Sequence, residues 1–533
     1  RNVAMGPLAL TTNTEASDNV AIGGGTSGVS FAALQSNTTG NHNTAVGSGA
    51  LGANTTGVEN VAIGSAAGLD NTTGNNNTFV GRDAGRANTT AGNNTFIGER
   101  AGTANTTGDE SVAIGQFAYS ANTTGVDNVA IGRSALAANT SANFNVAIGR
   151  AAMLSNTTGT QNVAIGRQAL DANTTGKNNV AVGHDTLSAN TTAEENTALG
   201  SFALNANTTG AANTAVGNFA MINNTTASNN TAVGRGALGN NTTGSENVAV
   251  GHLTLDANTT GTDNTAIGQN ALTTNTTGAS NTAVGKNALK VCLDGGGNVA
   301  VGHTAGLDLT DGNANTFVGL RAGQNITTSS NNVAIGIDSM EDATTSGECT
   351  CVGTNAGANL TSGSNNLLLG KEAGKSGSPG GQFTSHSNRV TLGNSSIVEL
   401  NCQVALSVAS DERDKTDFTD LNIGLDFVKQ MKPYTYKWDK RSNYVDWTAN
   451  PDTDLNTITN DGTHKEAQLD IGFKAQEVEV LEKAAGYDKD NKTNLTINLS
   501  SDGKQYSMKY EKLVPILVKA IQELEARVAT LES

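Results

Sequence analysis

The chain has 533 residues, of which 15% are charged and 4% are aromatic, and it contains 63 glycines but only 5 prolines. Large apolar side chains are too sparse to fill the cores of several ordinary globular domains, so the composition is typical of a repeat protein. The net charge of -16 argues against nucleic acid as a partner, and no apolar run reaches the roughly 18 residues expected of a membrane-inserted helix.

A short repeat occupies most of the sequence. The glycine that closes each segment of the type Asn-Xaa-Ala-(Ile/Val)-Gly recurs every 17 residues from Gly47 to Gly370. Two copies precede a first insertion, at Gly6 and Gly23, and Gly393 closes a degenerate copy after a second one. Numbered from its first Asn as positions 1 to 17, the consensus is N-(V/T)-A-(I/V)-G-x-x-A-(L/G)-x-A-N-T-T-G-x-x.

Each repeat is predicted to form one coil of a β-solenoid that is similar to a β-roll. Seventeen residues are too few for two helices, and the Asn-Thr-Thr-Gly segment interrupts any helical period. About 22 coils over residues 1–375 would form a mostly β shaft, in which twenty coils rise roughly 95 Å. The alternative is a β-spiral, in which each repeat advances along the axis and the shaft is several-fold longer. Alternation places Val61 and Ile63 on one face of a strand and Ala62 on the other, and we expect the aliphatic face to point into the core.

Asparagine recurs at position 1 and again in the Asn-Thr-Thr-Gly corner. Stacked coils would place equivalent Asn side chains about 4.8 Å apart, which allows amide ladders along the shaft. At the corner, the glycine is expected to supply a positive φ angle.

The residue after the repeat glycine is often basic, and it forms a column along the predicted shaft. Within this column Arg133, Arg150 and Arg167 occupy consecutive coils, roughly 5 Å apart, and they are a candidate ligand-binding column. Two interpretations stay open: a solvated charged face balanced by nearby acids, or a groove for a glycan or a phosphate. The complete set of basic residues in this column is Arg82, Arg133, Arg150, Arg167, Arg235, Lys286 and Lys371, with His184, His252 and His303 in the same column.

Nothing in the sequence indicates a metal or a cofactor, so we expect none. The three histidines of the basic column lie several coils apart and cannot ligate one ion. Cys292 and Cys349 lie too far apart to pair within one chain, and Cys349 and Cys351 have poor geometry for a disulfide. We interpret these cysteines as small buried residues, and a bond between chains of an oligomer stays open.

From Ser410 onward the composition changes, and tyrosine, lysine and arginine become frequent. We predict a loop and β neck over residues 376–409 and a separate α+β domain over residues 410–533, with a final helix at about 508–533. Apolar residues of this helix step by three and four, as in a coiled coil, and their composition alone would favour two strands. The seam consists of Val514, Leu517, Ile521, Leu524, Val528 and Leu531.

Two resemblances extend this interpretation. The Asn-Val-Ala-Ile-Gly segment resembles the head repeat of trimeric autotransporter adhesins, although 17 residues per repeat differ from that family's shorter period. The C-terminal region resembles the intramolecular chaperone domain of phage tail spikes and fibres, the auto-processing endosialidase type. The motifs that carry this second resemblance are Arg389-Val390-Thr391-Leu392-Gly393, Ser410-Asp411-Glu412-Arg413-Asp414-Lys415, Gly424-Leu425-Asp426-Phe427, Lys432-Pro433, Tyr436-Lys437-Trp438, Ile471-Gly472-Phe473, Ala475-Gln476-Glu477 and Tyr510-Glu511-Lys512-Leu513-Val514-Pro515.

The chaperone resemblance implies a homotrimer that folds the upstream fibre and then cuts itself. It further implies that Ser410 is the catalytic serine, that Lys415 is its basic partner, and that the bond between Ser410 and Asp411 is the cleavage site. Such a Ser/Lys pair would act once per chain, and we expect no turnover enzyme in the repeats. Asp414 stands where the family often has Leu, and a carboxylate beside Lys415 could weaken it as a base.

The function that these patterns favour is a viral fibre. We expect a phage tail fibre or spike in the virion, with a host cell-surface receptor such as a glycan as its partner. A bacterial cell-surface or secreted adhesive filament with the same chaperone domain is the alternative. A glycan-degrading tail spike is third, because the shaft offers no paired carboxylates in an aromatic cleft.

Overall fold

A computed structural model describes residues 1–26, 31–397, 399–403, 410–445, 453–500, 503 and 505–533. Residue 398 and residues 404–409 of the predicted neck lie outside this described part of the chain. The chain divides into two compact units, Arg1–Ala314 and Asn315–Ser533. Each unit is described by itself.

The first unit is a β-solenoid in which every coil contributes one short strand. Each strand pairs in parallel with the strand of the next coil, and equivalent positions face each other, as Val61 faces Thr78 and Val163 faces Val180. Because the chain returns to the same lateral position after each repeat, this pairing confirms the solenoid and excludes the β-spiral. The strands are β1 Val3–Met5, β2 Val20–Ile22, β3 Thr44–Val46, β4 Val61–Ile63, β5 Thr78–Val80, β6 Thr95–Ile97, β7 Val112–Ile114, β8 Val129–Ile131, β9 Val146–Ile148, β10 Val163–Ile165, β11 Val180–Val182, β12 Thr197–Leu199, β13 Thr214–Val216, β14 Thr231–Val233, β15 Val248–Val250, β16 Thr265–Ile267, β17 Thr282–Val284 and β18 Val299–Val301.

The second unit begins with solenoid coils of the same kind and continues into the α+β region. Its solenoid strands are β19 Thr316–Val318, β20 Val333–Ile335, β21 Thr350–Val352, β22 Leu367–Leu369 and β23 Val390–Leu392, and the last of these is the predicted degenerate copy. The remaining elements are α1 Leu425–Gln430, β24 Tyr434–Tyr436, β25 Asp470–Gly472, α2 Ala475–Ala484, β26 Ile497–Leu499, β27 Tyr506–Met508 and α3 Leu513–Glu532. The α+β region that ends in a helix is therefore confirmed. The final helix starts at Leu513, because Tyr506–Met508 forms a strand.

The prediction of which strand face points inward was wrong. In β4 the central Ala62 is completely buried, whereas Ile63 is 42% exposed and Val61 is half-buried. The alternation is as predicted, but the aliphatic face is the outer one. The physical reason is that the interior of a coil is narrow, so the strand centre holds a small residue where a large side chain from the opposite wall or from an adjacent coil fills the space. In the coil of Ala62 position 9 is Gly68, and Phe79 and Leu51 of the adjacent coils fill that space.

The volume of this interior is shared between positions 3 and 9 of each coil. Where the strand centre is Ala130, position 9 is Leu136, and both are fully buried. Where the strand centre is Phe79, position 9 is Gly85, and a Cβ atom there would lie 2.4 Å from the ring. Phe96 and Phe317 are matched by glycines in the same way, Gly102 and Gly323.

The predicted amide ladders are confirmed, and both end on the same backbone oxygen. At position 1, Asn60 Nδ2 donates to Asn43 Oδ1 at 3.1 Å and to Gly74 O at 2.9 Å. At the corner, Asn71 Nδ2 donates to Asn54 Oδ1 at 2.9 Å and to Gly74 O at 3.1 Å. These bonds satisfy polar groups that the coil buries.

The corner glycine has a different role from the one predicted. Gly57 does not adopt a positive φ angle, but a Cβ atom on it would lie 2.4 Å from Asn54 Oδ1 and 2.5 Å from Gly74 O of the next coil. Close stacking of the corners, rather than a left-handed backbone, is therefore what requires glycine there. The positive φ belongs to the glycine that closes the strand, as in Gly64 with φ of 135°.

The α+β region has its own small core, formed mainly by Ile423, Phe427, Val478, Ile497, Leu513 and Ile516. Two carboxylates link its helices to neighbouring elements by hydrogen bonds. Glu523 of α3 accepts a hydrogen bond from the backbone N–H of Leu425 at 2.7 Å, at the first residue of α1. Buried Glu482 of α2 accepts from the backbone and the hydroxyl of Thr496, next to β26. Within the described residues, no helix has the length and apolarity to cross a membrane.

Candidate functional site

The structure brings Ser410 and Lys415 into direct contact. Lys415 Nζ donates to Ser410 Oγ at 2.6 Å and lies 3.2 Å from the backbone oxygen of the same serine. These are the two residues that the sequence predicts as the catalytic pair. One amine therefore contacts both the candidate nucleophile and the carbonyl group of the predicted cleavage site.

A single turn of 3-10 helix, Glu412–Asp414, produces this contact by folding the chain back on itself. Asp411 precedes the turn and caps it, since its carboxylate accepts from the backbone N–H of Arg413 at 3.0 Å. The same carboxylate forms an ion pair with the Arg413 guanidinium at 2.6 Å. These hydrogen bonds from Arg413 lower the pKa of Asp411, so the cap stays charged at neutral pH.

Asp414 does not compete for the lysine. Among the described residues, Asp414 makes no ion pair with Lys415, whose amine is directed towards Ser410 instead. Both members of the pair are exposed in the single chain. The arrangement has the geometry for proton exchange between an amine and a hydroxyl, and water has free access to it.

The predicted coiled-coil seam lies on the free side of α3. The opposite side of this helix packs onto the domain through Leu513, Ile516 and Ala520, which are buried. The seam residues remain exposed, with Ile521 65% and Leu531 87% exposed. A helix 20 residues long thus presents an apolar stripe that no other described part of the chain covers.

The candidate column Arg133, Arg150 and Arg167 is exposed on consecutive coils of the first unit. No carboxylate among the described residues lies within ion-pair distance of these three arginines. Elsewhere in the shaft, Arg82 pairs with Glu99 and Arg321 pairs with Asp338. The basic column is therefore paired with an acid at Arg82, whereas the consecutive run has no acid partner among the described residues, and both interpretations of that run stay open.

The cysteines replace residues of the solenoid interior. Cys292 and Cys349 stand at Asn positions, where their Sγ atoms lie 3.6 and 3.3 Å from the backbone oxygens that the amides would contact. Both residues and Cys351 are buried, so a disulfide to another chain would need the coil to open. Cys402 is the exposed one.

Sequence reasoning missed two surfaces. The outer sheet face carries half-exposed residues of positions 2 and 4, including Ile97, Ile165 and Leu199. Phe202 and Phe219 form an exposed stacked pair whose ring centres are 5.5 Å apart. The signal for this pair was its position, two residues after the repeat glycine in consecutive coils, beside the basic column.

Residues 410–487 match the family model described as chaperone of endosialidase. The matched segment begins at Ser410, includes Lys415, and extends through α1 and α2. No curated protein matches the chain. The structure and this match together support a solenoid fibre that carries an intramolecular chaperone domain.

Proposed function

We propose that the protein is a homotrimeric fibre of a virus, a phage tail fibre or spike. Its C-terminal domain would assemble the fibre and would then be released by autoproteolysis. The shaft would present the surface that attaches to the host. The match to the chaperone family supports the role of the C-terminal domain, and the repeated coils support the role of the shaft.

The exposed seam of α3 is the observation that supports assembly of several chains, and the match to the chaperone family is the reason for proposing three. Its six residues are spaced as in a coiled coil, and each of them is at least 43% exposed in the single chain. An apolar stripe of this kind is stable in water when it packs against copies of itself. Because the buried side of α3 belongs to the core of the domain, the same helix would join the domains of neighbouring chains.

The outer sheet face of the shaft supports the same assembly. In the coils of the first unit it presents an aliphatic residue at position 4, as in Ile63, Ile165 and Ile267, and these side chains are about two fifths exposed. Repeated over many coils, they form a long apolar surface, and such surfaces in soluble proteins mark contacts with other chains. We infer that this face packs against the neighbouring chains of the trimer.

The contact between Lys415 and Ser410 supports the cleavage step. An ammonium group can only donate hydrogen bonds, so Lys415 acts as a base only in its neutral form. Burial favours the neutral form of an amine, and in the single chain the pair is exposed. We therefore propose that packing of the three domains around this site removes water from the lysine and starts the reaction.

The cut that we propose lies between Ser410 and Asp411. Its carbonyl oxygen is the one that Lys415 Nζ contacts at 3.2 Å, which favours negative charge on that oxygen. A serine hydroxyl would have to close a four-membered ring to reach its own carbonyl carbon. The attacking oxygen is therefore either water or the serine of another chain, and in the second case water then hydrolyses the ester that forms. Both routes consume one water, and the products are a carboxylate on Ser410 and an amine on Asp411.

Two measurements on the full chain test this function. Light scattering gives the mass of the assembled protein, and mass spectrometry gives the ends of its fragments after expression. We expect three chains per particle and a C-terminal fragment that begins at Asp411. A monomer or dimer would refute the trimer, and an intact chain in complete trimers would refute autoproteolysis.

A further inference from the structure

In the first unit, the three arginines that form no ion pair are followed by an aromatic pair on later coils. Arg133, Arg150, Arg167 and His184 occupy position 6 of four consecutive coils, and Phe202 and Phe219 occupy position 7 of the next two. His184 joins the two parts, since its ring lies edge-on to Phe202 with ring centres 5.3 Å apart. We call these six residues the basic-aromatic strip.

None of the three arginines of the strip forms an ion pair among the described residues. Two acids lie on the same coils, and neither is within ion-pair distance of these arginines: Asp171 accepts a hydrogen bond from Gln168, and Asp185 lies 3.3 Å from His184 Nδ1. Arg167 Nη1 lies 3.0 Å from His184 Nε2. The permanent positive charge of the strip resides on the three guanidinium groups.

The spacing of these charges is fixed by the fold. Adjacent coils are separated by the distance between hydrogen-bonded strands, about 4.8 Å, so the guanidinium groups repel one another at short range. A linear polyanion that lies along the shaft would relieve this repulsion at each coil. The backbone under the strip is rigid, because every coil is held by strand pairing and by the amide ladders.

The aromatic pair indicates what kind of polyanion fits. Phe219 is 37% exposed and Phe202 is half-buried, and their rings stack with an angle of 16° between planes. Exposed aromatic faces of this kind pack against the C–H side of a sugar ring, which is apolar, while the arginines bind carboxylates. A pyranose unit in an extended polysaccharide advances by about the same distance as one coil.

We propose that the basic-aromatic strip binds a linear acidic polysaccharide along the shaft. The proposal deepens the fibre function stated above, since it names the chemical class of the surface to which the shaft attaches. The net charge of -16 opposes every polyanion at long range, so binding depends on the local charge of the three arginines and on the aromatic pair. We do not assign the strip to contacts with a second copy of the chain, because the outer sheet face and the α3 seam serve those contacts in the proposed fibre.

The test uses the full-length fibre and polygalacturonate, a linear polyuronate, in a titration at low and at moderate salt. Its fully methyl-esterified form is the matched ligand control, because it keeps the sugar backbone and removes the charge. Polyphosphate is the control for charge without sugar. We expect binding to polygalacturonate that weakens with salt, and much weaker binding to the ester.

Three variants locate the site. Replacing Arg133, Arg150 and Arg167 together by Gln should weaken polygalacturonate binding by about tenfold or more, because three charge-assisted hydrogen bonds are lost. The double variant F202L/F219L should weaken polygalacturonate binding and leave polyphosphate binding unchanged. Arg82→Gln, whose arginine is already paired with Glu99, should bind like the wild type.

Equal binding by the wild type and the triple Arg variant would overturn the proposal, as would a wild-type fibre that binds no polyuronate. If F202L/F219L changes neither ligand, the strip is not a sugar site and the proposal fails. If the triple variant no longer assembles, the arginines serve chain contacts instead, which also refutes it. Light scattering and fragment mass on the same samples report on assembly and cleavage, so failure of the fibre function is seen separately.

Discussion

At the scale of single residues, the contact between Lys415 and Ser410 depends on the conformation of the short segment between them. The cap from Asp411 and the 3-10 turn after it reverse the chain and set the amine 2.6 Å from the hydroxyl. The resemblance predicted the pair, but it did not predict that Asp414 makes no ion pair with Lys415 among the described residues.

Substitutions at this pair and at Asp414 test the cleavage prediction. Ser410→Ala should leave the chain whole. Lys415→Arg should also leave it whole, because a guanidinium keeps the positive charge and the donors but does not act as a base. Asp414→Leu should cut like the wild type, since Asp414 makes no ion pair with Lys415 among the described residues. Mass spectrometry of purified protein gives the fragments in each case.

Efficient cutting by Lys415→Arg would show that the lysine positions the serine without acting as a base. A faster reaction of Asp414→Leu than of the wild type would show that the carboxylate does hold the lysine charged. The first result would revise the role of Lys415 and the second the role of Asp414, and each would leave the role of the other residue unchanged.

The cysteines give a second prediction at this scale. Burial raises the pKa of Cys292 to about 12, and it also raises the pKa of Cys349 and of Cys351, so their reactive thiolate forms are scarce near neutral pH. In a colorimetric thiol assay, the native protein should react rapidly at one thiol per chain, Cys402, and the unfolded protein at four. Cys402→Ser should remove the rapid reaction. Rapid labelling of a second thiol in native protein would contradict the burial.

At the scale of the coil, the exchange of volume between positions 3 and 9 predicts how substitutions combine. Gly85→Leu should be strongly destabilising, because its Cβ would meet the Phe79 ring at 2.4 Å, and overpacking costs about 1–3 kcal/mol. Phe79→Ala should cost about 3–5 kcal/mol through the cavity that it leaves. The double variant F79A/G85L should be more stable than the sum of the two changes by about 1–3 kcal/mol, since it recreates the Ala and Leu pairing of other coils.

Thermal unfolding followed by circular dichroism measures this coupling. The melting temperature of the double variant should lie above the value that adding the two single losses gives. Additive losses would show that the two side chains do not share one space, and that the preference for glycine beside phenylalanine has another cause.

The coil also shows how far the sequence predicts this fold. Repeat length, strand position and the amide ladders follow from strict periodicity, because stacking brings equivalent residues such as Asn54 and Asn71 together. Periodicity does not say which face of a strand is inside, since alternation is the same in both cases. The deciding signal was present in the sequence: phenylalanine at the strand centre occurs with glycine six residues later, as in Phe79 and Gly85, which indicates a shared interior.

At the scale of the whole molecule, apolar surfaces are the feature that the proposed assembly uses. Position 4 of the coils and the seam of α3 expose branched aliphatic side chains, while the coil interiors are filled by alanine, larger apolar side chains such as Leu136 and Phe79, and asparagine amides. In the proposed trimer, contacts between the exposed surfaces would add to the stability of the coils. The chaperone domain would bring the chains together, which would lower the entropic cost of forming those contacts.

The seam gives the last prediction, which separates assembly from folding of the domain. Leu524 lies at a seam position of α3 and is 49% exposed, whereas Ala526, two residues later, is exposed off the seam. Lysine at either position adds one charge to the same helix. In an uncut Ser410→Ala background, Ala526→Lys should give particles of three times 54.1 kDa by light scattering.

Leu524→Lys in the same background should give unassembled chains, because packing of three lysines at the centre of the seam replaces leucines whose burial contributes about 1.5–3 kcal/mol each. Circular dichroism should show that the helix content of both variants is similar. Assembly of Leu524→Lys like the wild type would show that α3 does not join the chains. A particle of two chains for Ala526→Lys would keep the coiled coil and refute the trimer, in line with the preference that β-branched and leucine residues show in parallel dimers.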